Sequence, residues 1–283
     1  MPKAAGLYYT RSEGGNSTKK PVVLIHGAGL NHACWPVELR RLNGRITLGL
    51  DLPGHGRSSG VGLQSVEAYC AEVISFLAEL GMYQAVFVGH SLGGAIALQL
   101  ALDFSPHVAG LGLICSGASF NLPAELLTRM SSAYSYSAGL QLLKKSSFAA
   151  ATSQTVVEKG ASILSAARTS VLYGDWKACA QFDRRKQAGQ IRVPVYIACG
   201  QEDQFAPPAV ARFLAAHLPA STLDILPNAG HMAILEQPQR IARGLSEFLT
   251  TLDGLDDQIS LKIPLPTEKQ VSSRLQNDGR GKE

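Results

Sequence analysis

Ser91 stands between two glycines in Gly89-His90-Ser91-Leu92-Gly93, where the apolar run Val86-Phe87-Val88 gives way to a helix-prone stretch. A hydroxyl held on a strained turn between strand and helix is open to a substrate, and the flanking glycines leave the space that such a turn needs. A chain of this length holds a G-x-S-x-G match roughly 0.1 times by chance, so the match counts only with its company. A serine nucleophile needs a base to take its proton, and an imidazole base needs an acid to fix its tautomer and balance its charge. In chain order after Ser91 the sequence supplies Asp203 in ACGQEDQFAPP and His231 in PNAGHMAILEQP.

Both residues follow predicted strands, which puts them in loops at the same sheet edge as Ser91. His26, His55 and His90 also fall near that edge, so position alone does not select the base. The place of His231 after the last strand, preceded by Gly230, does. His90 adjoins Ser91, but neighbouring strand residues point to opposite faces. Glu202 competes with Asp203 as the acid. Asp224 lies within a strand and faces elsewhere, and Asp51 is expected to order the Gly-rich loop that follows it. The attacked carbonyl oxygen needs two preorganised N–H groups. Leu92, first in the helix, offers one with the helix dipole behind it. Ala28, in His26-Gly27-Ala28-Gly29, offers the other, unless that loop is only a tight turn.

The elements that must position these groups follow from periodicity. Short apolar runs at 22–25, 46–50, 85–88, 108–115, 193–199 and 222–226 read as buried strands. Helix-period segments lie between several of them. The clearest runs from Val66 to Leu80, with Ser65 as N-cap and Gly81 as its stop, and others span 92–104, 208–217 and 238–252. Strands alternating with helices imply an α/β fold with a mostly parallel sheet covered on both faces. The alternation fails between 118 and 190, an Ala/Ser-rich, helix-prone stretch that reads as a helical cap above the strand ends, where open α/β sheets bind ligands. The expected division is a core of 1–117 and 191–252, a cap insertion of 118–190, and a polar, mobile C-terminal tail of 253–283. Within the cap, Phe120, Tyr134, Tyr136, Phe148 and Trp176 are candidates to line a pocket, with Phe205 from the core.

Composition bounds the rest. The chain has 283 residues, of which 46% are hydrophobic, ample for one large core. No apolar stretch reaches the roughly 18 residues of a membrane span, and the N-terminus has no signal-like apolar core, so a cytoplasmic monomer or homodimer is expected. The net charge of +4 comes from short separated clusters without interleaved aromatics, which argues against nucleic acid. Five scattered cysteines read as reduced packing residues, and Asn16-Ser17-Thr18 as a polar turn.

VLIHGAG, DLPGHGRSS, GHSLGG, GQEDQFAPP and GHMAILEQP, in this order and spacing, resemble the α/β-hydrolase fold superfamily over about residues 7 to 252. The resemblance implies a triad of Ser91, Asp203 and His231, oxyanion donors at Ala28 and Leu92, a variable cap, and no metal or organic cofactor. Two features depart from the pattern: the segment before Pro21 is short for the usual pair of leading strands, and the chain continues past the usual final helix. A serine nucleophile argues against the branches that use aspartate. The resemblance therefore implies a serine hydrolase, an esterase, and the apolar, aromatic cap suits small to medium acyl or aryl esters. Lactone or C–C bond hydrolysis, perhydrolysis and cyanohydrin lysis are alternatives on the same fold, as is a receptor that keeps the triad to hold a ligand.

Overall fold

Unbroken apolar runs make stable strands only when both faces are covered, and the chain meets that demand with helices. The computed structural model describes residues 2–12, 19–42, 44–132 and 134–256. In order come β1 (Lys3–Ala4), β2 (Leu7–Ser12), β3 (Val22–Ile25), α1 (Val37–Arg40), β4 (Thr47–Leu50), α2 (Val66–Glu79), β5 (Ala85–His90), α3 (Leu92–Asp103) and β6 (Val108–Ile114). The helices α4 (Ala124–Met130), α5 (Tyr136–Ser147), α6 (Gln154–Ser165) and α7 (Thr169–Gln181) follow without a strand between them. The remainder is β7 (Val195–Gly200), α8 (Pro208–His217), β8 (Ser221–Leu226), α9 (Ala233–Glu236) and α10 (Pro238–Asp256).

Among the described residues eight strands form one sheet in the order β1-β2-β4-β3-β5-β6-β7-β8. β2 is antiparallel to both neighbours and the others run parallel. Every residue of β3, β5, β6 and β7 is buried, as expected of strands with a helix layer on each side. The register pairs Ile25 with Gly89, His90 with Ile114, Ile114 with Ala198, and Gly200 with Leu226. The C-terminal ends of these strands therefore open along one edge. α2 begins where its cap residue requires, with Ser65 Oγ accepting from Ala68 N–H (3.2 Å), and stops before Gly81 at φ +64°.

Two expectations are corrected. The leading pair of strands is present despite the short segment before Pro21, because β1 needs only two residues and joins β2 through the two-residue turn Ala5-Gly6. Both turn residues have positive φ (47° and 76°), the geometry whose twist matches a hairpin. At the other end α10 runs past Leu252 to Asp256. Asp253 pairs with the buried Arg45, whose guanidinium also donates to the Leu249 carbonyl (2.9 Å), tying this last turn to the core. Residues 257–283, where most of the expected tail falls, lie outside the described residues.

The span from 118 to 190 leaves and re-enters the core at one place. Arg184 N–H donates to the Ala118 carbonyl (2.7 Å), and Ser119 pairs with Asp183 in an isolated antiparallel bridge. From there α7 crosses the strand-end edge. Arg168 donates to the carbonyls of Gly54 and Gly60 (3.0 and 2.9 Å), so the helix is pinned to the loop that follows β4.

Candidate active site

Ser91 sits between β5 and α3 at φ 53°, ψ −119°, a backbone conformation that costs a non-glycine residue on the order of 1–3 kcal/mol. Its neighbours explain how the turn is held. A Cβ at position 89 would lie 2.1 Å from the Gly93 carbonyl oxygen, and one at position 93 would lie 2.0 Å from that of Ile25. Only glycine fits at either place. Ser91 N–H donates to the Ile114 carbonyl (3.0 Å), and Ser116 Oγ–H donates to the Ser91 carbonyl (2.8 Å). The strained residue is therefore bonded to the last residue of β6 through its N–H and to the segment just after β6 through its carbonyl.

His231, on the loop after β8, meets this hydroxyl: its Nε2 is 2.8 Å from Ser91 Oγ. Its Nδ1 lies 2.9 Å from each oxygen of Asp203. With the proton on Nδ1 donated to the carboxylate, Nε2 is left to accept from the serine. Asp203 Oδ1 also accepts from Phe205 and Ala206 N–H (2.9 Å each). Burial would raise the carboxyl's pKa, but His231 and those two amides outweigh it and hold it below its ordinary value. Glu202 is turned away, accepting from Ala150 N–H (2.9 Å), so Asp203 is the acid that reaches the imidazole.

The other histidines serve the frame. His90 Nε2–H donates to the carbonyl of His231 (2.8 Å), anchoring that residue's backbone. Burial, with His231 nearby, pushes the His90 pKa down to about 3, so it stays neutral. His26 Nδ1–H donates to the Gly27 carbonyl (2.8 Å) and its Nε2 accepts from Leu52 N–H (3.0 Å), joining the loops after β3 and β4. Burial and the neighbouring His55 lower its pKa to about 4. Asp51 accepts from His32 and Arg57 N–H (2.6 and 2.8 Å), ordering the Gly-rich segment, and Asp224 pairs with Arg240.

The loop 26–29 lies against the serine: a Cβ at Gly27 would come within 3.1 Å of Ser91 Cβ. Ala28 follows directly, and Leu92 is the first residue of α3. Among the described residues neither N–H donates to a protein acceptor.

The six pocket candidates separate. Phe205 stands edge-on to His231 with ring centroids 5.0 Å apart, and Trp176 packs on Phe205 at 5.3 Å. Phe148 is buried where its backbone touches Gly230, beside His231. Phe120 packs against Phe182 at 6.4 Å, and Tyr136 is half-buried. Tyr134 is 102% exposed and lines nothing, since an aromatic side chain on a cap's outer surface looks the same in sequence as one on its inner surface. One buried acid that no motif singles out, Asp175 on α7, accepts from Gly29 N–H. Its signal is faint, an acid at helical spacing from the buried Val171, Leu172 and Cys179.

A model of the Alpha/beta hydrolase family matches residues 22–244. The chain is 27% identical over 245 residues to a pimeloyl-(acyl-carrier protein) methyl ester esterase of Salmonella paratyphi A, covering 82% of this chain and 94% of that protein. A thermophilic esterase from Thermogutta terrifontis superposes with TM-score 0.77 at 24% identity, over 87% of this chain and 93% of that one. The enol-lactonase from Burkholderia xenovorans superposes with TM-score 0.80 at 21% identity, over 86% and 96%. At these identities the two superpositions speak to the fold.

Proposed function

The chain belongs to the α/β hydrolase family, and within it we propose that this protein hydrolyses carboxylic esters by way of an acyl-enzyme on Ser91. The observation that carries the reading is the continuous hydrogen-bonded series from Ser91 Oγ through His231 to Asp203, with the serine on a strained turn. In the first half-reaction Ser91 Oγ attacks the ester carbonyl while its proton passes to His231 Nε2. The carbonyl oxygen becomes an oxyanion facing the N–H groups of Ala28 and Leu92. The tetrahedral species collapses, the C–O bond to the alcohol breaks, and His231 returns the proton to the leaving oxygen. In the second half water attacks the acyl carbon, gives its proton to His231, and the acid departs as Ser91 regains its hydrogen. Asp203 stays ionised throughout, orienting the ring and balancing its transient charge.

The helices of span 118–190 act as a cap in this reading. Trp176, with Phe205 from the core, gives the substrate an apolar wall beside His231, and the backbone of Phe148 packs against Gly230. Ser91 and His231 are only 5% and 4% exposed, which suits small to medium acyl or aryl esters better than a polymer. The methyl ester named for the Salmonella relative adds methanol to the leaving groups worth testing. A panel of p-nitrophenyl acylates, methyl esters, lactones and a C–C diketone tests the reading. Multiple turnovers on the esters support it. Turnover confined to lactones or the diketone replaces the ester reading with another hydrolysis, and a single turnover on every substrate turns it into a receptor.

A further inference from the structure

The loop that carries Ala28 is clamped by α7. Gly29 has φ +67°, and a Cβ there would sit 2.4 Å from Leu172 Cδ1, so the loop lies directly against the helix. Three residues on from Leu172, the wholly buried Asp175 accepts from Gly29 N–H through Oδ2 (2.8 Å). The same oxygen accepts from His55 Nε2–H (2.8 Å), and Oδ1 accepts from the Tyr69 hydroxyl (2.5 Å). His55 also donates from Nδ1 to the Pro53 carbonyl (3.0 Å). Both of its ring nitrogens thus face acceptors, the arrangement of an imidazolium. Burial opposes that charge, and Asp175 with the Pro53 carbonyl outweighs it, holding the His55 pKa above its ordinary value.

Packing alone does not call for an acid here. Val171 and Leu172 make the same face of α7 apolar, and a buried ion pair is often replaced by apolar side chains without loss of stability. What an apolar residue lacks is an acceptor for Gly29 N–H. That N–H belongs to the peptide following Ala28, so once it is fixed only the φ and ψ of Ala28 separate the anchor from the Ala28 N–H.

We propose that Asp175 is a positioning residue for the oxyanion site: its carboxylate, braced by His55 and Tyr69, holds Gly29 N–H and thereby aims Ala28 N–H at the carbonyl oxygen that Ser91 attacks. The inference rests on the roles given above to Ser91 and Ala28. It makes the oxyanion donor depend on α7 being seated, so that displacing α7 costs transition-state stabilisation.

The test compares Asp175→Asn, Asp175→Ala and Tyr69→Phe with Lys177→Ala, a half-buried position on the same helix whose side chain bonds Gln64. kcat and KM for a p-nitrophenyl ester are measured on protein that melts cooperatively, alongside affinity for an alkyl boronic acid, whose tetrahedral adduct on serine carries the negative charge. For Asp175→Ala the expected result is a fall in kcat of about tenfold to a hundredfold, below the roughly hundredfold to thousandfold of deleting a donor outright. KM should stay within about threefold, and boronate affinity should fall with kcat. Asp175→Asn, which keeps the shape and one accepting oxygen, should lose less, and Tyr69→Phe less again. Lys177→Ala should match the wild type. If the Asp175 variants do not fold, Tyr69→Phe decides, a severalfold loss in kcat with unchanged KM supporting the proposal. Unchanged kcat in the folded variants overturns it, as does a loss in KM alone. Failure of the underlying reading is told apart by a Ser91→Ala variant whose turnover is intact.

Discussion

The two halves of the proposed catalytic machinery are held by different parts of the molecule. Ser91, Asp203 and His231 sit on loops that leave β5, β7 and β8, with brackets from the core at Ile114 to Ser91, Ala206 to Asp203 and His90 to the backbone of His231, and one from the cap beside His231, where Met232 N–H donates to the Ser147 carbonyl (2.8 Å). The loop of Ala28 also leaves the sheet, but its outer anchor is Asp175, on a helix inserted between β6 and β7. Ser91 is therefore held by the core, and the loop of His231 by both regions. On the proposed reading the oxyanion side is completed by Asp175 of α7, which would make the cap part of rate control as well as of substrate choice.

Substitutions within the core-held set should produce the largest effects. Ser91→Ala is expected to lower ester turnover at least about a thousandfold, leaving only binding and oxyanion stabilisation, with the melting temperature unchanged or raised as the serine's chemistry goes and its turn stays. Steady-state kinetics beside a calorimetric melt check this. Asp203→Asn should cost about a hundredfold or more, since an amide favours the wrong imidazole tautomer. Glu202→Gln, whose side chain serves Ala150, should stay within about threefold of wild type in the same assay. A reversal of those two results would move the acid and dissolve the comparison.

The regions should also part company with pH. The pKa of Asp203 is lower in the folded protein than its ordinary 3.8, so its stabilising contribution is present above that value and lost as pH falls through the folded one. The pKa of His55 is higher in the folded protein than its ordinary 6.5, so its contribution is complete below that value and lost as pH rises through the folded one. The groups facing His55 are Asp175, Tyr69, His26 and Asp51, and only Asp175 bonds its ring with a carboxylate. Thermal melts across pH should therefore show the stability gap between wild type and Asp175→Asn narrowing on the alkaline side. The gap between wild type and Asp203→Asn should narrow on the acid side. Gaps that run in parallel would deny that the two anchors are distinct.

The smallest effects should come from the cap's aromatic residues. Trp176→Ala and Phe148→Ala should change the ratio of kcat/KM between short and long acyl esters by about tenfold, roughly 1.4 kcal/mol of differential binding. Phe120→Ala, whose ring packs on Phe182, should act on stability, and the exposed Tyr134→Ala on neither. Equal shifts for short and long esters in all four variants would remove the cap from the pocket wall.

Much of the core-held half was legible because its signals are local. Gly89 and Gly93 announce a turn whose close contacts lie within a few ångströms of the serine, and each strand shows its burial in its own residues. The cap-held half was not legible, because its bonds join residues far apart in the chain: Asp175 to Gly29, His55 and Tyr69 spans 146, 120 and 106 positions. No periodicity carries that information, and a lone acid on a helix reads as a solvated face. The β1–β2 hairpin escaped for another reason. A two-residue strand has no pattern, and an alanine at positive φ gives none of the usual turn signal.

The central claim is that Ser91 is the nucleophile, activated by His231. Incubating the protein with a fluorophosphonate and mapping the adduct by peptide mass spectrometry tests it most directly. The account predicts rapid stoichiometric modification of Ser91 in the wild type, labelling slowed by at least about a hundredfold in His231→Ala, and none in Ser91→Ala. Labelling at another serine, or at Ser91 with equal speed when His231 is replaced, would contradict it.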